Sequence, residues 1–285
     1  MLLPKTKLFI IGHPIGHSLS PPMQMAVLKK LNLRYSYSSV EVLPEELPLF
    51  IRKIRQNPYY LGFNATLPHK ETLIPFLDYV CPEASLISAV NTVVVRNKRL
   101  LGFNTDGNGF IQGLKLNSKF EPFDKNIVLL GAGGASRAIA INLLKANCKK
   151  LSIYNRHFNR AHELVSYLKP VFPGITLEAL ALDVLPEGDQ LENADLLVNA
   201  TSLGLQGTQF NDFPWAKLKT TCVVSDIVYN PLHTHFLIEA EKRGLPILTG
   251  DFMLVHQGAL AFELWTGHKP PIKTMHQALL HALNK

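Results

Sequence analysis

The chain has 285 residues, 47% of them apolar, enough for two domains or one large one around a sizeable core. Its three cysteines (Cys81, Cys148 and Cys222) form no Cys-x-x-Cys pair, which argues against a disulfide framework or zinc site and for a reducing cytoplasm. The net charge of +7 lies mostly in residues 1–125, with no basic run interleaved with aromatics, so nucleic acid is not an expected partner and the excess suits a small anion or is surface chance.

No apolar run approaches the roughly 20 residues of a membrane span, so no membrane is expected. The run before Gly12 is too short for a signal peptide and reads as a strand over Leu8–Ile11. A Gly/Pro-rich loop follows at Gly12–Pro22. Ser20 and Pro21 read as N-cap and first helical residue, with an amphipathic helix over Met23–Leu31. Ser36–Val42 alternates like a strand, and Glu45 and Glu46 open a helix to about Gln56. Tyr60–Phe63 is a strand leading into Phe63–Glu71, where Pro68 breaks regular structure before another helix. Ala89–Val95 and Leu100–Phe103 form a hairpin that turns at Asn97-Lys98. Asn104–Gly107 then opens a helix toward Leu116, placing Asp106 at or near its N-terminus.

Asn126–Asn147 organises the rest. Ile127–Leu130 is a short apolar run, as expected of a strand buried on both faces of a parallel sheet. A turn at Gly131, Gly133 and Gly134 precedes a helical pattern over Ala135–Leu144. Strand, glycine turn and helix in that order fit the opening of a nucleotide-binding βαβ unit, with the pyrophosphate at the helix N-terminus. The third small position is Ser136, which weakens the plain fingerprint. A second strand, Leu151–Tyr154, ends in Asn155-Arg156, with Arg160 one turn on. An NAD site presents an acid at that point; two arginines instead suit a 2′-phosphate through forked hydrogen bonds, so the cofactor is predicted to be NADP. A helix at about Arg160–Leu168 and strands near Thr176–Leu180, Asp195–Asn199, Cys222–Asp226 and Pro246–Leu248 continue the alternation. A helix over Thr234–Arg243 lies between the last two strands, and Met253–Trp265 and Lys273–Leu283 are tail helices. This pattern predicts a doubly wound parallel sheet preceded by a separate α/β unit, with a ligand cleft between them.

Lys70 and Asp106 sit at loop-to-helix junctions, and such a pair can manage proton movement at an alcohol carbon; which of the two is the base stays open. Ser18 and Ser20 suit a carboxylate and equally local capping. Asn64, Thr66, Asn91 and Asn104 could read ring hydroxyls or satisfy loop backbone, and Gln257 reads first as a buried amide. The histidines show no metal-ligand spacing, so no metal is expected.

Nine separated stretches in order resemble the shikimate dehydrogenase family. They are Gly12–Pro21, Asn64–Lys70, Ala89–Val93, Gly102–Phe110, Gly131–Ala138, Asn155–Arg160, Asn199–Leu205, Asp226–Thr234 and Gly250–Gly267. The resemblance implies an N-terminal α/β substrate domain over 1–106, completed by 251–285, and a Rossmann-like NADP domain over 107–250. It implies reversible NADPH-dependent reduction of 3-dehydroshikimate to shikimate in aromatic amino acid biosynthesis, by a monomer or homodimer. Lys70 and Asp106 would be catalytic. Ser18, Ser20 and Tyr229 would hold the carboxylate, and Thr66, Asn91, Asp106 and Gln257 the ring hydroxyls. Gly131, Ala132, Gly133, Gly134 and Ala135 would cradle the pyrophosphate, and Asn155, Arg156 and Arg160 the adenosine phosphate. Ile227 and Gly250 would border the nicotinamide. Gly258 stands where Ala is common, which loosens the wall beside Gln257. Rival readings are a quinate/shikimate paralogue and an NADP-sensing regulator without catalysis.

Overall fold

The computed structural model describes residues 6–185, 187–204 and 212–284; Leu205, last of the Asn199–Leu205 stretch, lies outside them. The chain divides into two compact units, one made of Met1–Thr105 with Val255–Lys285 and the other of Asp106–Leu254.

The first unit is built on a six-stranded mixed sheet. Its strands are β1 (Thr6–Gly12), β2 (Tyr35–Glu41), β3 (Tyr60–Ala65), β4 (Tyr79–Val80), β5 (Thr92–Arg96) and β6 (Arg99–Phe103), in the order β2-β1-β3-β5-β6-β4. β1 runs parallel to both its neighbours, while β5 is antiparallel to β3 and β6. Leu8–Ile11 is buried throughout, which is why it reads as a continuous apolar run instead of alternating. One layer of the core is aromatic: Phe9 stacks on Phe63 at 5.4 Å and meets Phe50 edge-on at 5.7 Å, arrangements that the ring quadrupole favours.

The helices of its Met1–Thr105 stretch are α1 (Ser20–Lys30), α2 (Leu47–Gln56), α3 (His69–Thr72) and α4 (Pro82–Ile87). Ser20 is not the N-cap of α1. Leu19 takes that position without a side-chain cap bond, and Ser20 is the first helical residue. The next two residues are Pro21 and Pro22, which have no N–H, so a cap at Ser20 would have only the Met23 N–H to reach. Glu45 and Glu46 form a 3₁₀ turn ahead of α2. α4 and the two-residue β4 carry no clear periodic signal, and the sequence does not predict them.

The second unit carries six strands, all parallel: β7 (Asn126–Leu130), β8 (Lys150–Asn155), β9 (Thr176–Ala181), β10 (Leu196–Asn199), β11 (Val223–Asp226) and β12 (Ile247–Leu248). Their order, β12-β11-β10-β7-β8-β9, reverses direction between β7 and β10, the switch point at which such sheets bind ligands beyond their carboxyl ends. The helices α5 (Asp106–Asn117), α6 (Gly134–Lys145), α7 (Phe158–Leu168) and α8 (His235–Glu241) belong to it. The division between units falls inside α9 (Gly250–Thr266), and α10 (Ile272–Leu283) closes the chain against α1 in the first unit. No helix among the described residues is long and apolar enough to cross a membrane.

Candidate functional site

In the first unit the polar residues singled out by sequence gather at one edge of the sheet. β1 and β3 end there and the antiparallel β5 begins. Backbone bonds hold the loops to each other: Thr66 N–H donates to Ile11 O at 2.9 Å, His13 N–H to Leu67 O at 3.0 Å, and Val90 N–H to Lys70 O at 2.8 Å. The Ser20 N–H donates to Ser18 Oγ at 3.3 Å, bringing the two serines together. Lys70 is half-buried in α3. Its neighbour His69 is fully buried and bonds Val42 O through Nε2 at 2.7 Å; a carbonyl only accepts, so Nε2 carries the proton. That bond pins the helix that presents Lys70.

Asn91 is the node of this edge. Its Oδ1 accepts from Thr105 N–H at 2.9 Å and from the Thr92 hydroxyl at 2.8 Å, and its Nδ2 donates to Thr105 Oγ1 at 2.9 Å and to Gln257 Oε1 at 3.4 Å. Gln257, on α9, is therefore brought to Asn91. Asn64 is committed elsewhere: it accepts from the Tyr37 hydroxyl at 2.7 Å and donates to Asn91 O and Thr92 Oγ1 at 3.0 Å. Asn104 donates to Ala89 O at 3.0 Å. Both behave as supports of the loops. Tyr37 is a residue that sequence reasoning passed over. Burial pushes its hydroxyl well above the usual range against a hydrogen bond with Ser20, so it stays a neutral bridge between Ser20 and Asn64. The alternation over Ser36–Val42 gave no signal for it, because Val40 and Val42 fall on the opposite face of the strand from Tyr37. The wall beside Gln257 is not loose: a Cβ on Gly258 would lie 2.4 Å from Met23 Cε, because the flexible Met23 side chain fills the space.

In the second unit most candidate residues follow the carboxyl ends of β7, β8 and β11, while Asp106 and Gly250 open the helices α5 and α9. Asp106 opens α5 and is 5% exposed, where the helix dipole favours an anion. Gly131 sits at φ +112°, and a Cβ there would come within 2.8 Å of Ala200 O and 2.9 Å of Ser136 Oγ. Gly133 is the N-cap of α6, with no side-chain cap, and a Cβ there would meet nothing within 4 Å. The start of α6 at Gly133 thus borders open space, with Gly134 and Ala135 half-buried after it and Ala132 before it at the strand end. The serine at the third small position is explained: it is fully buried and its hydroxyl donates to Ala200 O at 3.1 Å, tying the glycine turn to the loop after β10.

Beyond β8, Asn155 Nδ2 donates to His157 O at 2.8 Å, shaping the entry to α7. The Arg156 and Arg160 side chains are exposed, with no carboxylate partner among the described residues. Ile227 and Tyr229 follow β11 half-buried, and burial raises the Tyr229 hydroxyl above its ordinary range, keeping it a neutral donor. A Cβ at Gly250 would lie 2.5 Å from Ile227 O, so only glycine lets α9 start against that loop. An uncapped helix start over open space, with exposed guanidinium groups after the neighbouring strand and on the helix that follows it, fits a phosphorylated dinucleotide. Among the described residues no group of three His, Cys, Asp or Glu side chains is placed to hold a metal ion.

A doubly wound sheet whose second strand leads into Arg156 and, in the next helix, Arg160, joined to a separate α/β unit, marks the class of NADP-linked α/β dehydrogenases. Residues 10–93 match the family model described as the shikimate dehydrogenase substrate binding domain, 115–208 that of shikimate / quinate 5-dehydrogenase, and 253–280 that of the shikimate 5'-dehydrogenase C-terminal domain. A shikimate dehydrogenase (NADP(+)) of Geobacter metallireducens is 41% identical over 276 residues, 97% of this chain and 96% of its own. The chain belongs to the shikimate dehydrogenase family. Among solved structures, shikimate 5-dehydrogenase of Thermus thermophilus in complex with NADP(H) and shikimate superposes with a TM-score of 0.86 at 39% identity, covering 97% of this chain and 99% of that one. A 5-ketofructose reductase of a Gluconobacter strain reaches a TM-score of 0.90 at 32% identity over 98% and 99% of the two chains. The fold alone therefore does not choose the substrate.

Proposed function

We propose that this protein is a shikimate dehydrogenase that reduces 3-dehydroshikimate to shikimate with NADPH, and reverses the reaction with NADP. The observation that carries the reading is the 41% identity over nearly the whole chain to an NADP-linked shikimate dehydrogenase. The open helix start beside Arg156 and Arg160 supports it. The unit of Met1–Thr105 with Val255–Lys285 takes the substrate and that of Asp106–Leu254 the cofactor.

The cofactor supplies and takes back a hydride at the ring carbon bearing the carbonyl. The chain's residues do the rest. The Lys70 ammonium donates a hydrogen bond to the carbonyl oxygen and gives it a proton as the alcohol forms. In reverse a neutral amine at Lys70 takes that proton, helped by the Asp106 carboxylate or a water. Ser18, Ser20 and Tyr229 donate hydroxyl hydrogens to the substrate carboxylate. Thr66, Asn91, Asp106 and Gln257 bind ring hydroxyls; Asn91 gives up its 3.4 Å bond to Gln257 to do so. Arg156 and Arg160 fork onto the 2′-phosphate, with Asn155 at the adenosine.

Initial rates of NADP and NAD reduction with shikimate and with quinate test this. A clear preference for quinate or NAD would overturn the reading in favour of the quinate paralogue. Lys70→Ala is expected to lower turnover about a hundredfold or more with binding of shikimate retained, as for loss of a general acid/base. An unchanged rate removes Lys70 from the mechanism, and no turnover by the wild type would favour a sensor.

A further inference from the structure

Asp226, the last residue of β11, is fully buried, and no cation pairs with it among the described residues. Its Oδ1 accepts from Val228 N–H at 3.0 Å and its Oδ2 from the Thr234 hydroxyl at 2.7 Å, with the Asn199 amide as a further donor. Burial raises its carboxyl and these three donors pull it back. Each donor comes from a different place. Val228 is in the loop after β11. Thr234 is the N-cap of α8, its Oγ1 accepting from Leu237 N–H at 3.3 Å. Asn199 ends the neighbouring strand β10; its Nδ2 donates to Leu203 O at 2.9 Å and its own carbonyl accepts from Ile227 N–H at 3.0 Å.

One carboxylate therefore braces the exits of two adjacent strands and the start of a helix. The other side of the same loop is closed by Gly250, whose added Cβ would lie 2.5 Å from Ile227 O and 2.6 Å from Val228 O. Clamped between the carboxylate and the start of α9, the backbone of Ile227–Tyr229 has one path, and the two half-buried side chains on it point where that path sends them. A buried charge is expensive unless fully hydrogen-bonded. An apolar strand end would pack at no such cost, so the clamp has a use beyond stability.

We propose that Asp226 is a positioning residue for the nicotinamide end of the dinucleotide, acting through the Ile227–Tyr229 backbone. This rests on the reading that Ile227 and Gly250 border the nicotinamide. It goes further in making a residue that touches no ligand responsible for one half of the cofactor and not for the other.

The test compares binding of NADP+ with binding of adenosine 2′,5′-bisphosphate, which carries the phosphate-bearing end and no nicotinamide. Asp226→Ala should weaken NADP+ about tenfold, the equivalent of one buried hydrogen bond, and leave the bisphosphate within about twofold. In the unliganded protein, amide exchange at Val228 should quicken while that of Gly131–Ala135 does not. Asp226→Asn should restore most of the affinity, since its Oδ1 can still accept from Val228 N–H and the Thr234 hydroxyl can turn to accept. If Asp226→Ala does not fold, Thr234→Val takes its place, with about a threefold loss of NADP+ affinity expected for one weakened bond. Equal weakening of both ligands, or of neither, overturns the proposal. A wild-type protein that does not bind the bisphosphate overturns the NADP reading itself, and this proposal with it.

Discussion

Adding one methyl group at each of two glycines, two positions apart, should separate folding from binding. Gly131 holds φ at +112°, where an alanine costs about 1–3 kcal/mol. Its Cβ would also stand 2.8 Å from Ala200 O, between that carbonyl and the Ser136 hydroxyl now bonded to it, which puts about 1 kcal/mol of hydrogen bond at risk. Gly131→Ala should therefore cost about 2–4 kcal/mol and lower the melting temperature by roughly 5–15 °C. Gly133 has φ −87° and ψ −173°, open to any residue, and no atom waits within 4 Å. Alanine is a poorer N-cap than glycine by several tenths of a kcal/mol, and the stiffer unfolded chain returns about 0.4–1 kcal/mol, so Gly133→Ala should melt within about 3 °C of wild type. Its methyl, however, occupies the space from which a pyrophosphate reaches the α6 N–H groups, and affinity for NADP+ should fall at least about tenfold, or 1.4 kcal/mol. Melting without nucleotide and calorimetric titration of NADP+ read the two effects apart. A Gly131→Ala protein that melts with wild type, or a Gly133→Ala protein that binds NADP+ normally, would refute the reasoning.

Arg156→Ala should weaken NADPH about tenfold or more and NADH little, because a forked, charge-assisted bond to the 2′-phosphate is lost only for NADPH; equal weakening of both in a binding titration discards the phosphate reading. The acid limb of stability should depend on Asp195. Burial raises its carboxyl, but the Lys219 ammonium at 2.6 Å and the Asn126 N–H at 2.8 Å outweigh this and leave it below its ordinary value. A folded-state pKa below the unfolded value of about 3.9 stabilises the protein above that pH and loses the contribution as pH falls through the folded value. Asp195→Asn should therefore melt lower than wild type at pH 7, with the gap closing below about pH 4; a gap constant with pH removes Asp195 from the account.

The second unit was the more legible of the two, for a physical reason. Every strand of a parallel sheet covered on both faces must be a continuous apolar run, and the crossovers must be helices long enough to return. The runs at Ile127–Leu130 and Leu151–Tyr154 therefore announced strands of a doubly wound parallel sheet, while the order of the strands is read only from the structure. In the first unit the sheet is mixed, and β4 rests on two residues paired with Leu101 and Gly102. Too few residues share a face there for any periodicity to register, and α4 is one short turn behind Pro82 that ends at Ser88 in the left-handed region. α1 starts one residue earlier than its sequence suggests; with Pro21 and Pro22 next, a serine cap at position 20 keeps only one of its two usual donors, the Met23 N–H.

What sequence could not reach is which polar residues touch ligands and which hold those that do. Asn64, Asn91, Asp226 and Tyr229 are all polar groups at strand ends, and spacing treats them alike. Burial and hydrogen bonding set Asn64 and Asp226 apart from Tyr229. Asn64 has both amide hydrogens and its oxygen engaged within the protein, and Asp226 is closed in with donors that lie 2, 8 and 27 residues away along the chain. Tyr229 stands half-buried on the loop that Asp226 braces. The donors from 8 and 27 residues away reach Asp226 only because β10 and β11 are neighbours and α8 begins where the loop returns, so the support exists only once the sheet has formed. A substitution at Asp226 should then be felt first at Ile227 and Tyr229, through a backbone whose own sequence is unchanged.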